Sequence, residues 1–405
     1  MPGSQFVPRV QVIQPVVAAY RRPFFEALIS SPSLQISVAA SPRSPGLPDS
    51  VNCTSEHIDI SHACTGLFGG RLLWQRGLRL HPQLGPGDVL VVTGNPRFLS
   101  NLPLMLAARR RGAAVAWWGH GWSATSTPGR AAVRMRLMRL MDAIMVYTET
   151  EVEDLAACGF DRRRLFALNN AIDQRPIQAA RGQWSAEQLA TFQREQGLTG
   201  RQLLLFCGRL RQDPPTDLDV ALRALPMLSG RMENVELAVI GNGPAAARLQ
   251  AVAHSLGIHQ RVRWLGAIYD EARLAPWFLS ATAFLYPGPI GLSLMQAFGY
   301  ALPVLTHDRH REHNPEIAAL RDGENGLLFP RGDHATLARR VAELCTDAAL
   351  RARLSAAALN TVTRDYTLPN MVERFISAAC AASAMRRPSG RAMPSLQSHA
   401  TSAPP

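Results

Sequence analysis

Leu203–Cys207 (LLLFC) runs into Gly208-Arg209, Val235–Ile240 (VELAVI) into Gly241-Asn242-Gly243-Pro244, and Ala281–Tyr286 (ATAFLY) into Pro287-Gly288-Pro289-Ile290-Gly291. A helix-like stretch, Leu292–Tyr300, follows the third run. Pro303–Thr306 comes next, and then Asp322–Phe329, which carries Glu324-Asn325-Gly326. Short apolar runs bounded by Gly and Pro, alternating with helical stretches, indicate an α/β domain with a parallel sheet. Such sheets bind ligands outside the carboxyl ends of their strands. The glycines, Arg209 and Asn325 all fall there, so this edge is where a ligand is expected.

The first half of the chain repeats the pattern without repeating the sequence. Its strand candidates are Val10–Gln14, Leu34–Ala40, Val89–Thr93, Ala113–Trp118 and Ile144–Tyr147. Helical stretches lie at Pro23–Ser30, Leu99–Arg111, Arg130–Met141 and Glu149–Cys158. This reads as a second doubly wound parallel sheet in a domain of residues 1–175. Asn169-Asn170-Ala171-Ile172-Asp173 leads into a polar linker at 176–200, the second domain spans 201–365, and Tyr366–Ala382 is an apolar-striped helix. Residues 386–405, rich in Pro, Ser and Ala, are expected to form a disordered tail.

A chain of 405 residues can bury two full cores, and 47% hydrophobic against 18% charged residues marks it as globular. No apolar run reaches the roughly 20 residues that span a bilayer, and the start lacks the charged-then-apolar pattern of a signal peptide. The six cysteines have no metal-ligand or CxxC spacing, which points to a reduced, cytosolic protein. All 43 basic residues are arginine and the formal charge is +12. Between Cys64 and Met141 stand eleven arginines and one acid, Asp88. In segments 71–80 and 130–139 the arginines are interleaved with Leu, Met and, at Trp74, an aromatic. Basic segments with an aromatic anchor suit an anionic membrane surface. No common nucleic-acid motif is present, so a nucleic-acid partner is not expected.

The order and spacing of the pieces resemble the family 4 retaining glycosyltransferases, from about Val7 to about Ala382 and most strongly over 203–345. The resemblance implies the GT-B fold, two Rossmann-like domains facing across a cleft, with the terminal helix 366–382 returning to the first. It implies transfer of a sugar from a nucleoside diphosphate donor, UDP- or GDP-linked, to an acceptor hydroxyl with retention. No metal or other cofactor is expected. Together with the arginine-rich segments, it points to a lipid-linked glycan acceptor in polysaccharide or glycolipid assembly, at the cytoplasmic face of a membrane.

Site residues follow from the resemblance and from residue chemistry. Arg209 can hold both oxygens of a diphosphate. The family lysine six residues after the glycine is replaced by Pro214, and Arg211 is the candidate substitute. Gly241 and Gly243 allow a sharp turn and would expose amides to a phosphate or ribose. Family members carry two glutamates in the third loop, one contacting the donor sugar and one the ribose. Those positions are Gly288 and Gln296 here, so backbone would approach the sugar and an amide oxygen would accept from the ribose. Gly291 with the amides of Leu292 and Ser293 would open a helix and bind the diphosphate. Glu316, after Pro315, matches the family's Pro-Glu and is expected at the donor or the domain interface. His120, between Gly119 and Gly121, is expected beside the transferred sugar as a catalytic residue with Arg209. Tyr20, Arg21 and Asn95 are the acceptor-side candidates.

Asp217-Leu218-Asp219 resembles a metal-binding Asp-x-Asp, but it lies in a helical stretch where residues two apart diverge. It reads as solvated surface, and His307, His310 and His313 read as a solvated loop. Gly241-Asn242-Gly243 lacks the acidic residue that a nicotinamide site needs about twenty residues on. Two other classes stay open: a catalytically idle relative that binds or scaffolds, and a sugar-nucleotide epimerase.

Overall fold

The computed structural model describes residues 6–45, 47, 49–122, 127–213, 215–228 and 232–386. The chain divides into two compact units. Unit 1 comprises the residues up to Val146, Glu151–Ala167, and those from Val372 on. Unit 2 comprises Tyr147–Thr150 and Leu168–Met371.

Unit 1 contains β1 (Arg9–Ile13), β2 (Gln35–Ala39), β3 (Ile58–Asp59), β4 (Cys64–Leu67), β5 (Leu72–Gln75), β6 (Val89–Thr93), β7 (Ala114–Trp118), β8 (Ala143–Val146) and β9 (Leu165–Ala167). Seven of these make a parallel sheet in the order β3-β2-β1-β6-β7-β8-β9, and β4 with β5 forms a separate antiparallel hairpin. Every residue of β6, β7 and β8 is buried. A parallel strand covered on both faces has no use for alternation, which is why these segments are continuously apolar.

Unit 2 contains β10 (Gln202–Cys207), β11 (Val235–Ile240), β12 (Val262–Gly266), β13 (Ala283–Tyr286), β14 (Val304–His307) and β15 (Gly326–Phe329), in the order β12-β11-β10-β13-β14-β15. Three strands step outward one way from β10 and three the other way from β13. This is the doubly wound order, and the winding reverses between β10 and β13. Both units are therefore Rossmann-like. Glu236, buried within β11, is paired with Arg263 at 2.6 Å and Arg201 at 3.3 Å, as a buried carboxylate requires.

The interval expected to be a polar linker is helical, with helices at Arg175–Gly182 and Ala186–Glu195. Ser185 caps the second through a reciprocal capping box with Gln188, so the Ser-x-x-Gln spacing carried the signal. The terminal helix, Leu368–Ala384, sets Phe375 against Phe24 and Trp118, and Ser383 donates to the Gly87 carbonyl at 2.6 Å. Arg386 reaches Asp142 at 3.0 Å, while the rest of the expected tail, like Pro214, lies outside the described residues. Among the described residues no helix is long and apolar enough to cross a membrane.

The loops leaving the carboxyl edges are zipped together by backbone. In unit 2 the ladder runs one step beyond the strands, with Gly208 N–H donating to Ile240 O and Gly241 N–H to Gly266 O. A Cβ on Gly241, whose φ is +148°, would lie 1.9 Å from Gly208 O. Unit 1 does the same between β6 and β7. Gly94 N–H donates to Trp118 O, and a Cβ on Gly94 would lie 2.6 Å from the Gly119 backbone.

Candidate functional site

β10 and β13 pair directly, so the loops after them leave the carboxyl edge of unit 2 side by side at the point of reversal. The first carries Arg209, which is exposed and makes no ion pair among the described residues. Arg211, half-buried, stands beside the phenol of Tyr286 at the tip of β13. Its Nε is buried without a hydrogen-bond partner, and so is Thr216 Oγ1. Burial raises the Tyr286 pKa, against a smaller opposing pull from Arg211. An unpaired guanidinium nitrogen in such surroundings is a ready anion ligand.

The second loop is held on every side. A Cβ at Gly288 would sit 2.5 Å from Thr216 O and 3.0 Å from Pro215 O. The backbone that approaches Gly288 is therefore the protein's own, and a glutamate has no room there. Ile290 N–H donates to His313 Nδ1 at 3.0 Å, and Ile290 O accepts from the backbone and side chain of Asn314. The Asn314 side chain also crowds Gly291, where a Cβ would meet it at 2.9 Å. The helix that follows, Ser293–Gly299, opens on Leu292, so the amides of Leu292 and Ser293 belong to its first turn.

His307 and His313 are not the solvated loop residues expected. Both are buried, their rings stack at 3.8 Å, and His313 Nε2 meets His307 O at 2.9 Å. Because His313 Nδ1 accepts from Ile290, its proton sits on Nε2 and the ring is neutral. Burial lowers His307 to about 3 and His313 to about 4, with further contributions from nearby cations. Asp217 is also less solvated than expected. It precedes the helix Leu218–Ala224 and pairs with Arg331 at 2.9 Å, and burial raises its pKa.

Gln296 reads differently in three dimensions. Its Nε2 donates to both oxygens of Glu271, at 3.2 and 3.1 Å, and the Tyr300 hydroxyl donates to the same carboxylate at 2.7 Å. Glu271 opens the helix Glu271–Ser280 after β12, and its charge helps burial push the Cys207 thiol at the end of β10 up to about 12. A carboxylate thus stands where the glutamine lacks one, and the sequence alone gave no reason to connect the two positions.

Two other expectations change. The amides of Gly241 and Gly243 are occupied, by Gly266 O and by Asn242 Oδ1, so neither is presented to a ligand. Asn325 is fully buried and satisfied, donating to Ala319 O and Thr361 and accepting from Arg321 N–H. Glu316 is buried and accepts from Asn170 Nδ2.

In unit 1, His120 is half-exposed just past β7. The buried Glu151 accepts from Gly121 N–H at 2.9 Å and lies 3.8 Å from His120 Nδ1, so it fixes the histidine loop. Arg134 is turned toward Glu151, and burial disfavours its charge. Asn95, past β6, accepts from Arg97 N–H. Tyr20 is exposed, and Arg21 is buried with its guanidinium over the rings of Tyr20 and Trp118, at 5.3 and 5.4 Å. Among the described residues no cluster of His, Cys, Asp or Glu is arranged to hold a metal.

Residues 201–347 match the family of glycosyl transferases group 1. The segment covers the switch-point loops, Glu271 and Gln296. A phosphatidyl-myo-inositol mannosyltransferase of Mycobacterium leprae is 33% identical over 184 residues, 44% of this chain and 46% of that protein. The lipopolysaccharide core biosynthesis glycosyltransferase LpsE of Rhizobium meliloti is 25% identical over 192 residues, 44% of this chain and 54% of that protein. The chain thus spans about half the length of the curated relatives it matches. Among solved structures, Anabaena HepE in complex with UDP superposes with a TM-score of 0.65 at 12% identity, covering 91% of this chain and 98% of HepE. The architecture of the two units is that of the GT-B fold.

Proposed function

We propose that the protein transfers a sugar from a nucleoside diphosphate donor to an acceptor hydroxyl. The observation that carries this reading is the pair Arg209 and Arg211. They sit at the switch point of a parallel sheet inside the group 1 segment, one exposed without an acidic partner and one with a buried, unanswered Nε. Together they would bind the diphosphate and stabilise it as it leaves, with Gly291 and the amides of Leu292 and Ser293 completing the anion site. Glu271, held by Gln296 and Tyr300, would accept from the ribose hydroxyls, replacing the carboxylate missing at 296. His120, steadied by Glu151, would hydrogen-bond the transferred sugar, and Tyr20 and Asn95 would face the acceptor. Gly288 and Glu316 would serve the site by packing.

The transfer proceeds with retention and without a resident metal. The acceptor oxygen bonds to the anomeric carbon on the face the diphosphate leaves, the carbon–phosphate oxygen bond breaks, and the departing phosphate oxygen takes the acceptor proton. UDP, bound in HepE, is the first donor base to test, with GDP second. The names of the curated relatives support a lipid-linked acceptor, of a phosphatidyl-inositol or lipopolysaccharide type, and the arginine-rich segments support work at the cytoplasmic face of a membrane.

The test is thermal unfolding of the protein with UDP, GDP, ADP and their sugars, beside Arg209→Ala. A ligand at a hundredfold its Kd adds about 2.7 kcal/mol. A shift with one base, lost in the variant, supports the reading. The filled space at Gly288 favours one rival, a relative that binds donor without transferring it. A nucleotide shift with no transfer to membrane lipid extracts would select that rival, and conversion of the nucleotide sugar without acceptor would select an epimerase.

A further inference from the structure

The arginine-rich segments 71–80 and 130–139 part company in three dimensions. In the helix Pro128–Arg139, Met135, Leu137 and Met138 pack on the core of unit 1 and Arg134 is half-buried, which leaves Val133 and the capping Leu140 as its exposed apolar side chains, with no aromatic among them. Leu78 and Leu80 are likewise drawn onto that core. The β4–β5 hairpin behaves differently.

Side chains alternate along β5. Leu73 and Gln75 face the body of the unit and are almost completely buried. Gln75 Nε2 is tied to Gln14 O and Ser41 Oγ, both at 2.9 Å. That anchoring fixes the opposite face of the hairpin outward, and it carries Leu72 and Trp74 with their cross-strand partners Leu67 and Thr65. At the turn, Phe68 is 77% exposed, the most exposed phenylalanine among the described residues, and Trp74 is 37% exposed. Arg97 holds the turn by donating to the carbonyls of Gly70 and Arg71. The next helix, Asn101–Arg110, starts beside the hairpin, since Leu99 N–H donates to Leu73 O, and it exposes Leu102 and Leu106 four residues apart.

The charge around this apolar face has one sign. The side chains of Arg71, Arg76 and Arg79 are exposed and have no acidic partner among the described residues. Asp88, the one acid of the stretch, is buried and spent on Arg9 and Gly85 amides. Asp59, near the hairpin base, is engaged by Ser61 and His62. An exposed aromatic tip on a rigid two-stranded arm, with unpaired guanidiniums behind it, matches a surface that is apolar inside and anionic outside. A soluble partner protein with an acidic rim would need only the charge. The water-exposed Phe68 at the tip, ahead of the arginines, fits a bilayer better.

We infer that the β4–β5 hairpin docks the protein on an anionic lipid surface, with Phe68 and Trp74 entering the headgroup region and Arg71, Arg76 and Arg79 contacting lipid phosphates. The inference deepens the peripheral placement proposed above. It is measurable without donor or acceptor, so its failure is distinct from failure of the transferase reading.

The test is co-sedimentation of the full chain with vesicles of phosphatidylcholine alone and with phosphatidylglycerol added. Three proteins are compared: the wild type, Phe68→Ser with Trp74→Ser, and Arg71, Arg76 and Arg79 all changed to Gln. The wild type should bind only the anionic vesicles and be released by salt. The aromatic pair should lower partition by roughly tenfold or more, since each ring leaves water on docking. The arginine variant should lose the preference for phosphatidylglycerol. Because all five side chains are exposed, the variants should unfold at the wild-type temperature, and that check separates lost docking from lost fold. Binding of the aromatic variant equal to wild type, or no wild-type binding to anionic vesicles, would overturn the inference. So would a wild-type dimer that the aromatic variant dissolves, because the face would then join two copies of the chain.

Discussion

Unit 1 closes its carboxyl edge with Gly94 against Gly119, and unit 2 closes its own with Gly208 against Gly241. In both, two loops approach until a single methyl group would not fit, and the parallel ladder runs one hydrogen bond past the strands. What stands next to the glycines differs. Unit 1 presents a histidine steadied by a buried carboxylate, and unit 2 presents two arginines, one with an unanswered nitrogen. The glycines thus carry the geometry common to the two edges, and their neighbours carry the chemistry. A glycine-rich strand end is evidence of close backbone first and of a ligand only when the adjoining side chains are left unsatisfied.

The largest effect should come from attacking the shared geometry. Gly241→Ala combines a left-handed φ with a 1.9 Å contact and should cost about 3 kcal/mol or more, read by chemical denaturation. Gly94→Ala should do comparable harm in unit 1, and a tolerated Gly94→Ala would end the equivalence of the two edges.

Next is the acid response of the buried histidine pair in unit 2. An unfolded histidine titrates near 6.5, whereas His307 and His313 resist protonation in the fold until about 3 and about 4. Between those limits the unfolded chain binds more protons. Stability is therefore fully present above about pH 6.5 and is lost as pH falls toward 4, at about 1.4 kcal/mol per unit for each ring at most. Denaturation midpoints from pH 7.5 to 4.5 should fall along this slope, and His313→Asn should flatten it.

Smaller, and confined to ligand binding, is the effect of Arg209→Ala. Nucleoside diphosphate affinity should drop roughly ten- to a hundredfold, by the 1.5–3 kcal/mol of a charged hydrogen bond, with unfolding unchanged because the side chain is exposed. Smallest is Glu271→Gln, expected to weaken ribonucleotides by about fivefold, near 1 kcal/mol, and to leave 2′,3′-dideoxy analogues untouched. Equal loss for both sugars would make Glu271 a packing residue.

Much of this was legible in sequence because short apolar runs bounded by glycine and proline announce parallel strands, and five of the six strands of unit 2 were read that way, β12 being the one missed. Arg209 was legible for the same reason, being a charge placed next to a strand end. The misreadings share a physical cause. Asn325, His307 and His313 are polar residues near loops, and their burial depends on partners 6 to 36 residues distant in sequence, such as Ala319, Thr361 and Ile290. The Glu271–Gln296 pair is hidden in the same way, by 25 residues and two elements. Gly241 and Gly243 were misjudged because a glycine looks alike whether it makes room for a ligand or for its own chain. The helix at 186–195 was a different case, since its capping box was in view at Ser185 and Gln188.

The contact of Gly288 with the backbone of Pro215 and Thr216 makes two substitutions interdependent. Position 288 cannot regain a carboxylate while the 215–216 backbone fills that space, so the loop after β10 and the loop after β13 form one epistatic unit. Anyone grafting a glutamate into this chain, or this chain's glycine into a relative, would have to exchange both loops as a single cassette. Swapping either alone should leave a clash in one chimera and a hole in the other.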